Sequence, residues 1–145
     1  MKAFHWDECY VTGLSDVDDQ HRELINLINQ FGERISDNNV AFNDLDVLFK
    51  SLADYAQYHF EEEEELMIQR GIDIRHLDRH IEKHKSFLNE LTSMRSDTDE
   101  NSIGSAKQLL NFLTHWLAYH ILGTDQNMAR QISAIESGVN SVKAF

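Results

Sequence analysis

Apolar residues recur at steps of three and four along most of this chain. Leu24, Ile25, Leu27, Ile28, Phe31 and Ile35 form one such stripe, which predicts a helix. Its start falls near Ser15–Asp18, where capping residues cluster, and the polar run 36–39 ends it. A second helix is expected from about Asn43 to Arg70. It carries Leu45, Leu48, Leu52, Tyr55 and Leu66 on one face, and Gly71 is its stop. Asp73 can cap a third helix with the stripe Leu77, Ile81, Phe87, Leu88, Leu91 and Met94. The polar segment Ser96 to Ser102 is expected to be a loop. A fourth helix runs from about Ser102 to Asp125, with Leu109, Leu110, Leu113, Trp116, Leu117 and Ile121 inward. Met128, Ile132 and Ile135 mark a shorter amphipathic tail that ends at Gly138. Residues 1–14 carry Phe4, Trp6 and Tyr10 without helical period and are expected to pack as an arm. The pattern predicts an all-α, up-down-up-down four-helix bundle in one domain: arm 1–14, bundle about 15–125, tail 126–145.

Several polar residues sit where this pattern expects core. His21 precedes Leu24 and Ile25 by three and four residues. His59 and Glu63 lie on the inward face of the second helix, His80 and His84 on that of the third, and His120 follows Trp116 and Leu117. Burying so many imidazoles without partners would cost on the order of a few kcal/mol each. A shared metal would serve them all. His59 and Glu63 are four apart, as are His80 and His84, hence neighbours on a helix face. His120 and Asp125 are five apart, which leaves them about 140° out of line on a regular helix. A helix end or a widened π-type turn around Gly123 would bring both inward.

Antiparallel geometry supplies a second test. The midpoint between His21 and the His59–Glu63 pair falls at residue 41, inside the first connection. The corresponding midpoint for the His59–Glu63 and His80–His84 pairs lies between residues 71 and 72, and that for His80–His84 and His120 falls at 101. All seven side chains are therefore expected in one layer. Five imidazoles and two carboxylates suit a pair of first-row metals, and the ligand count alone does not choose among iron, manganese and zinc.

Composition narrows the remaining choices. The 145 residues suffice for one sizeable core, and they include no proline where roughly 5% would be usual, which suits helices. A net charge of −12 argues against nucleic acid and against anionic membrane surfaces as partners. Cys9 is the one cysteine, so neither an intramolecular disulfide nor a cysteine-rich zinc site is available. Neither a signal peptide nor a membrane span is visible, and the expected location is the cytoplasm. Eight histidines is a high count for this length.

Four strings carry a resemblance: DVDDQHRELINLIN around His21, YHFEEEEELM around His59 and Glu63, HIEKHKSFL with His80 and His84, and HWLAYHILGTD with His120 and Asp125. Together they are similar to the hemerythrin-like family of non-haem di-iron oxygen-binding proteins, bacterial branch, across residues 6–125. The family motif has the same five-residue step from its last histidine to its aspartate. The resemblance implies one iron held by His80, His84 and His120, and another by His21 and His59. Glu63 and Asp125 would bridge them beside an oxo or hydroxo group, and dioxygen would bind at the second iron. Leu24, Trp116 and Leu117 match apolar positions around the family's oxygen pocket.

The other histidines are expected outside the ligand set: His5 in the arm, His76 exposed, and His115 off the inward stripe. Glu61, Glu62, Glu64 and Glu65 are expected to form a solvated face, and Cys9 a buried apolar position. Phe87 and Trp116 are expected in the core, walling the site. The tail MARQISAIESGVNSVKAF resembles the stretch that joins hemerythrin-like domains to diguanylate cyclase domains. The expected function is therefore oxygen or redox sensing, with a cyclase as possible C-terminal output and no catalysis by this domain itself. A free-standing oxygen carrier or store needs the same site. A di-iron oxidase or peroxidase is the third option, but ferritin-like enzymes carry paired Glu-x-x-His motifs, which do not occur here.

Overall fold

The computed structural model describes residues 4–36, 42–97 and 103–137. Four helices dominate: α1 (Ser15–Ser36), α2 (Phe42–Arg70), α3 (Ile74–Asp97) and α4 (Ile103–Tyr119). Helix α1 packs on α2 and α4, and α3 packs on the same two, which closes a four-membered ring around one core. A π-helical turn, His120–Asp125, leads without a break into α5 (Gln126–Glu136), which packs back on α2. The expected bundle and tail helix are both present. Helix α3 runs to Asp97, so Ser96 and Asp97 are helical instead of opening the loop, and 98–102 lie outside the described residues. Gly138 and the rest of the tail also lie outside them.

Most of the predicted stripes are inward. Leu24, Ile25, Ile28, Phe31 and Ile35 of α1 join Leu52, Phe87, Leu91, Leu109, Leu113, Leu117 and Ile121 in the main core. Burying such side chains is the main stabilising term, roughly 1.5–3 kcal/mol for each large one. A second cluster closes the lower end, where Met128 and Ile132 of α5 meet Val17, Met67, Ile72 and Leu77.

The arm is held by polar contacts as well as aromatic ones. Buried Asn29 accepts from the Phe4 N–H and donates to the Phe4 carbonyl, both at 2.8 Å. Phe4 stacks obliquely on Tyr10, and Arg22 sits 4.5 Å from the centre of the Trp6 ring. Buried Asp18 accepts from Thr12 N–H, Thr12 Oγ1 and Gly13 N–H, which ties the arm to the first turn of α1. Cys9 is exposed, contrary to the buried position expected for it. It lies in a short 3-10 turn, Glu8–Tyr10, capped by Asp7. That turn presents Glu8 and Cys9 outward while Tyr10 packs against the core, a division without any helical stripe to reveal it.

The turn between α2 and α3 sets the height at which their site residues meet. Gly71 has φ +68 and closes α2 with two bonds: its own N–H to Ile68 O and the Ile72 N–H to Met67 O, each 3.2 Å. Ile72 and Met67 pack together in the lower cluster, completing a Schellman stop. Asp73 then caps α3 by accepting from the Arg75 N–H at 2.8 Å. No neighbouring atom lies within 4 Å of where a Gly71 side chain would begin, so the requirement there is purely one of backbone conformation. Gly71→Ala is expected to lower the unfolding free energy by about 1 kcal/mol in denaturant titrations; no change would show that the turn relaxes without cost.

Candidate metal centre

All seven predicted site residues converge at mid-bundle and are buried: His21, His59, Glu63, His80, His84, His120 and Asp125 are each no more than 5% exposed. They come from α1, α2, α3 and the π turn. The π turn resolves the five-residue step. Its signature is the Gln126 N–H bonding to Ile121 O, a span of five residues. The widened turn carries His120 and Asp125 on one side, so His120 Nε2 lies 3.1 Å from Asp125 Oδ1. Lys83 on α3 steadies it from outside by donating to Thr124 Oγ1 at 3.0 Å.

The donor atoms fall into two groups that share both carboxylates. In one group, His21 Nε2 is 3.0 Å from Asp125 Oδ2 and 3.4 Å from Glu63 Oε2, and His59 Nε2 is 3.0 Å from Glu63 Oε2. In the other, His80 Nε2 is 3.1 Å from Glu63 Oε1 and 3.0 Å from Asp125 Oδ1. His84 Nε2 joins it at 3.2 Å from both Glu63 Oε1 and His120 Nε2. Each carboxylate therefore turns one oxygen to the two-histidine group and the other to the three-histidine group.

Two of these contacts have hydrogen-bond geometry, His80 Nε2 with Glu63 Oε1 and His84 Nε2 with His120 Nε2, and the others do not. His21 Nδ1 and Nε2, His59 Nε2, Glu63 Oε2 and both Asp125 oxygens are buried without a hydrogen-bond partner, despite close approaches. Orphaned buried polar atoms are costly and rare. Apart from His21 Nδ1, which lies on the far edge of its ring from Nε2, these atoms belong to residues that form two tight clusters, each with one ligand atom per residue and all of those atoms within 4.8 Å of one another. Two donors each about 2.1 Å from one ion, at right angles, stand about 3.0 Å apart, which is the spacing seen in both groups. The donor set of imidazole nitrogens and carboxylate oxygens fits a pair of first-row transition ions.

A surrounding layer fixes which ring nitrogen faces inward. His59 Nδ1–H donates to Gln20 Oε1 at 2.6 Å, and His84 Nδ1–H donates to Glu64 Oε2 at 2.8 Å. Both leave Nε2 with its lone pair toward the centre. Glu64 is thus half-buried and hydrogen-bonded, not part of a solvated face as expected. His76 is buried as well, against the expectation of exposure, and its Nε2 lies 3.0 Å from His80 Nδ1. His115 is exposed and bonded to Asn111 O, and His5 is exposed.

Aromatic rings close one side of the three-histidine group. Phe60 stacks on His84 with centroids 3.9 Å apart, Trp116 stacks on His120 at 4.3 Å, and Phe87 packs on both Phe60 and Trp116. The sequence reading named Phe87 and Trp116 but missed Phe60. Its signal was its place three residues before Glu63 and four after Ala56, on the inward face of α2.

The charges are mutually compensating in the metal-free chain. Burial disfavours a charged His21, but Asp125 and Glu63 outweigh it and push its pKa up to about 10. His80 rises to about 9 for the same reasons. Burial also opposes the charged forms of Glu63 and Asp125, yet the facing imidazoles hold both carboxyls well below their usual range.

Comparison with known proteins decides the family. Residues 12–132 match the family model described as the hemerythrin HHE cation binding domain. The chain belongs to the hemerythrin family. A bacteriohemerythrin of Clostridium acetobutylicum is 27% identical over 127 residues, covering 85% of this chain and 96% of its own. A myohemerythrin of Theromyzon tessulatum is 30% identical over 124 residues, covering 86% and 89% respectively. A crystal structure of a leucine-to-phenylalanine mutant shares the fold with a TM-score of 0.75 at 19% identity, over 92% of this chain and 100% of that one. Hemerythrins are di-iron, dioxygen-binding proteins and generally not enzymes. No described helix of this chain is long and apolar enough to cross a membrane.

Metal uptake by such a site requires neutral imidazoles. Below about pH 9, His21 and His80 are both protonated in the metal-free chain, because their folded-state pKa values are raised. Uptake at pH 7 is therefore expected to release at least two protons per chain, one from each of these imidazoles, and the apparent affinity to rise with pH through the range 7 to 9. A lightly buffered ferrous titration measures this; uptake without proton release would contradict the charge balance.

Proposed function

We propose that Glu63 and Asp125 bridge two iron ions, that His80, His84 and His120 complete one coordination sphere and His21 and His59 the other, and that dioxygen is the ligand. The observation that carries the reading is the two-sided placement of both carboxylates, one oxygen in each histidine group. When bound, the iron pair, with its oxo or hydroxo bridge, supplies reversible two-electron chemistry toward dioxygen. The two-histidine group has one imidazole fewer, so an ion held there would have more room for an external ligand.

The chain's own residues set the conditions for reversibility. Leu24 and Leu117 are buried in the core, and Trp116 packs against His120. We assign these three to the oxygen pocket. An apolar wall keeps water and stray protons from the site, and both promote irreversible oxidation. Gln20 and Glu64 hold His59 and His84 in the orientation the metals need. Glu63 and Asp125 supply negative charge that compensates the cations within a buried site.

For the biological role we propose oxygen or redox sensing. Asp125 directly precedes α5, so a change in its bridging position acts on the first residue of that helix. Helix α5 is the natural outgoing element toward a C-terminal output domain, and its sequence resembles the connector to diguanylate cyclases. A free-standing oxygen carrier or store is the second reading, supported by relatives that the chain covers almost end to end.

Three outcomes are expected. Anaerobic reduced protein exposed to oxygen should gain a visible absorption band that vanishes on deoxygenation; direct oxidation without a reversible adduct would favour a redox sensor, and steady peroxide turnover with a reductant a di-iron oxidase or peroxidase. His84→Ala should lose at least one of two irons, and unchanged iron content would remove it from the ligand set. Leu117→Ala should speed autoxidation several-fold, whereas an unchanged rate would take Leu117 out of the pocket.

A further inference from the structure

His80 has two working faces. Its Nε2 faces Glu63 Oε1 and Asp125 Oδ1, while its Nδ1 lies 3.0 Å from Nε2 of His76, one helical turn earlier on α3. The two rings stand 5.1 Å apart at 71°. His76 is only 6% exposed, and it lines a surface cleft with Gly71, Asp73, Arg79 and Gln131. A nitrogen–nitrogen contact of this length is a hydrogen bond only when one nitrogen carries the proton and the other a lone pair. If His80 Nε2 presents its lone pair to an ion, the His80 proton sits on Nδ1. His76 Nε2 is then the acceptor, and the proton of His76 sits on Nδ1.

We infer that His76 is a positioning residue of the metal centre: by accepting from His80 Nδ1–H it fixes the tautomer and ring plane of His80 and strengthens it as a donor. This rests on the di-iron reading above. The three supported imidazoles have chemically different acceptors. His59 has the amide oxygen of Gln20, His84 the carboxylate of Glu64, and His80 the imidazole of His76. His76 is therefore one of the supports that set the electron density of the three-histidine group. Simple packing at this site would require only bulk, but the inferred role requires an acceptor.

The test uses the iron-loaded chain and three variants. His76→Leu and His76→Phe keep bulk and lack an acceptor, so either serves if the other folds poorly. His76→Gln retains an oxygen acceptor. Two readouts are followed: the rate of iron release to a strong chelator, and the midpoint potential of the iron pair. The variants without an acceptor should release iron about 10–100-fold faster. Their potential should rise, because a less electron-rich His80 stabilises the ferric state less. His76→Gln should return both values toward wild type. With the wild type loaded by two irons, unchanged release and potential in His76→Leu or His76→Phe would overturn the inference and leave the di-iron reading standing. So would a His76→Gln variant as impaired as the other two. A wild-type chain that takes up no iron would overturn both.

Discussion

Everything at the centre of this bundle depends on two carboxylates buried among five imidazoles. Glu63 and Asp125 are 1% and 0% exposed, in a core otherwise built from Leu, Ile and Phe. Such charges are tolerated only with close compensation. Protonated histidines supply it in the metal-free chain, and a pair of divalent or trivalent ions would supply it more fully. The orphaned lone pairs show that protons alone leave the layer incompletely satisfied. The helices carry the stability of the fold, and this layer determines how they must be registered.

Register was legible in the sequence because helical geometry is simple. Four-residue steps in α2 and α3 put pairs on one face, and the Gly71 turn set the height at which the pairs meet. The five-residue step from His120 to Asp125 demanded a local departure from the α-helix, and the π turn is that departure. What the sequence hid was the supporting layer. His76 was expected to be exposed, and Glu64 was one of four glutamates expected on a solvated face. Glu64 lies one step off the Glu63 line, so its half-burial depends on how α3 sits against α2, whereas His76 lies four residues before His80, on the face the spacing already marks as inward. Cys9 was hidden for a different reason: the arm follows no period, so its inward and outward positions cannot be assigned from spacing.

The π turn also links the site to the rest of the chain. Asp125 belongs at once to the buried layer and to the junction with α5, whose Met128 and Ile132 seal the lower cluster against Met67, Ile72 and Leu77. A shift of the Asp125 carboxylate therefore meets a packed helix, not a slack loop. Close-packed cores respond to small displacements by switching between arrangements, not by yielding smoothly. This continuity gives a sensing role a physical basis, and it costs a carrier nothing.

The most direct test of the account is an anaerobic titration of the metal-free chain with ferrous iron, counting tightly bound iron per chain. The account predicts saturation at two, because Glu63 and Asp125 each offer one oxygen to each histidine group. Saturation at one, or no binding, would contradict it.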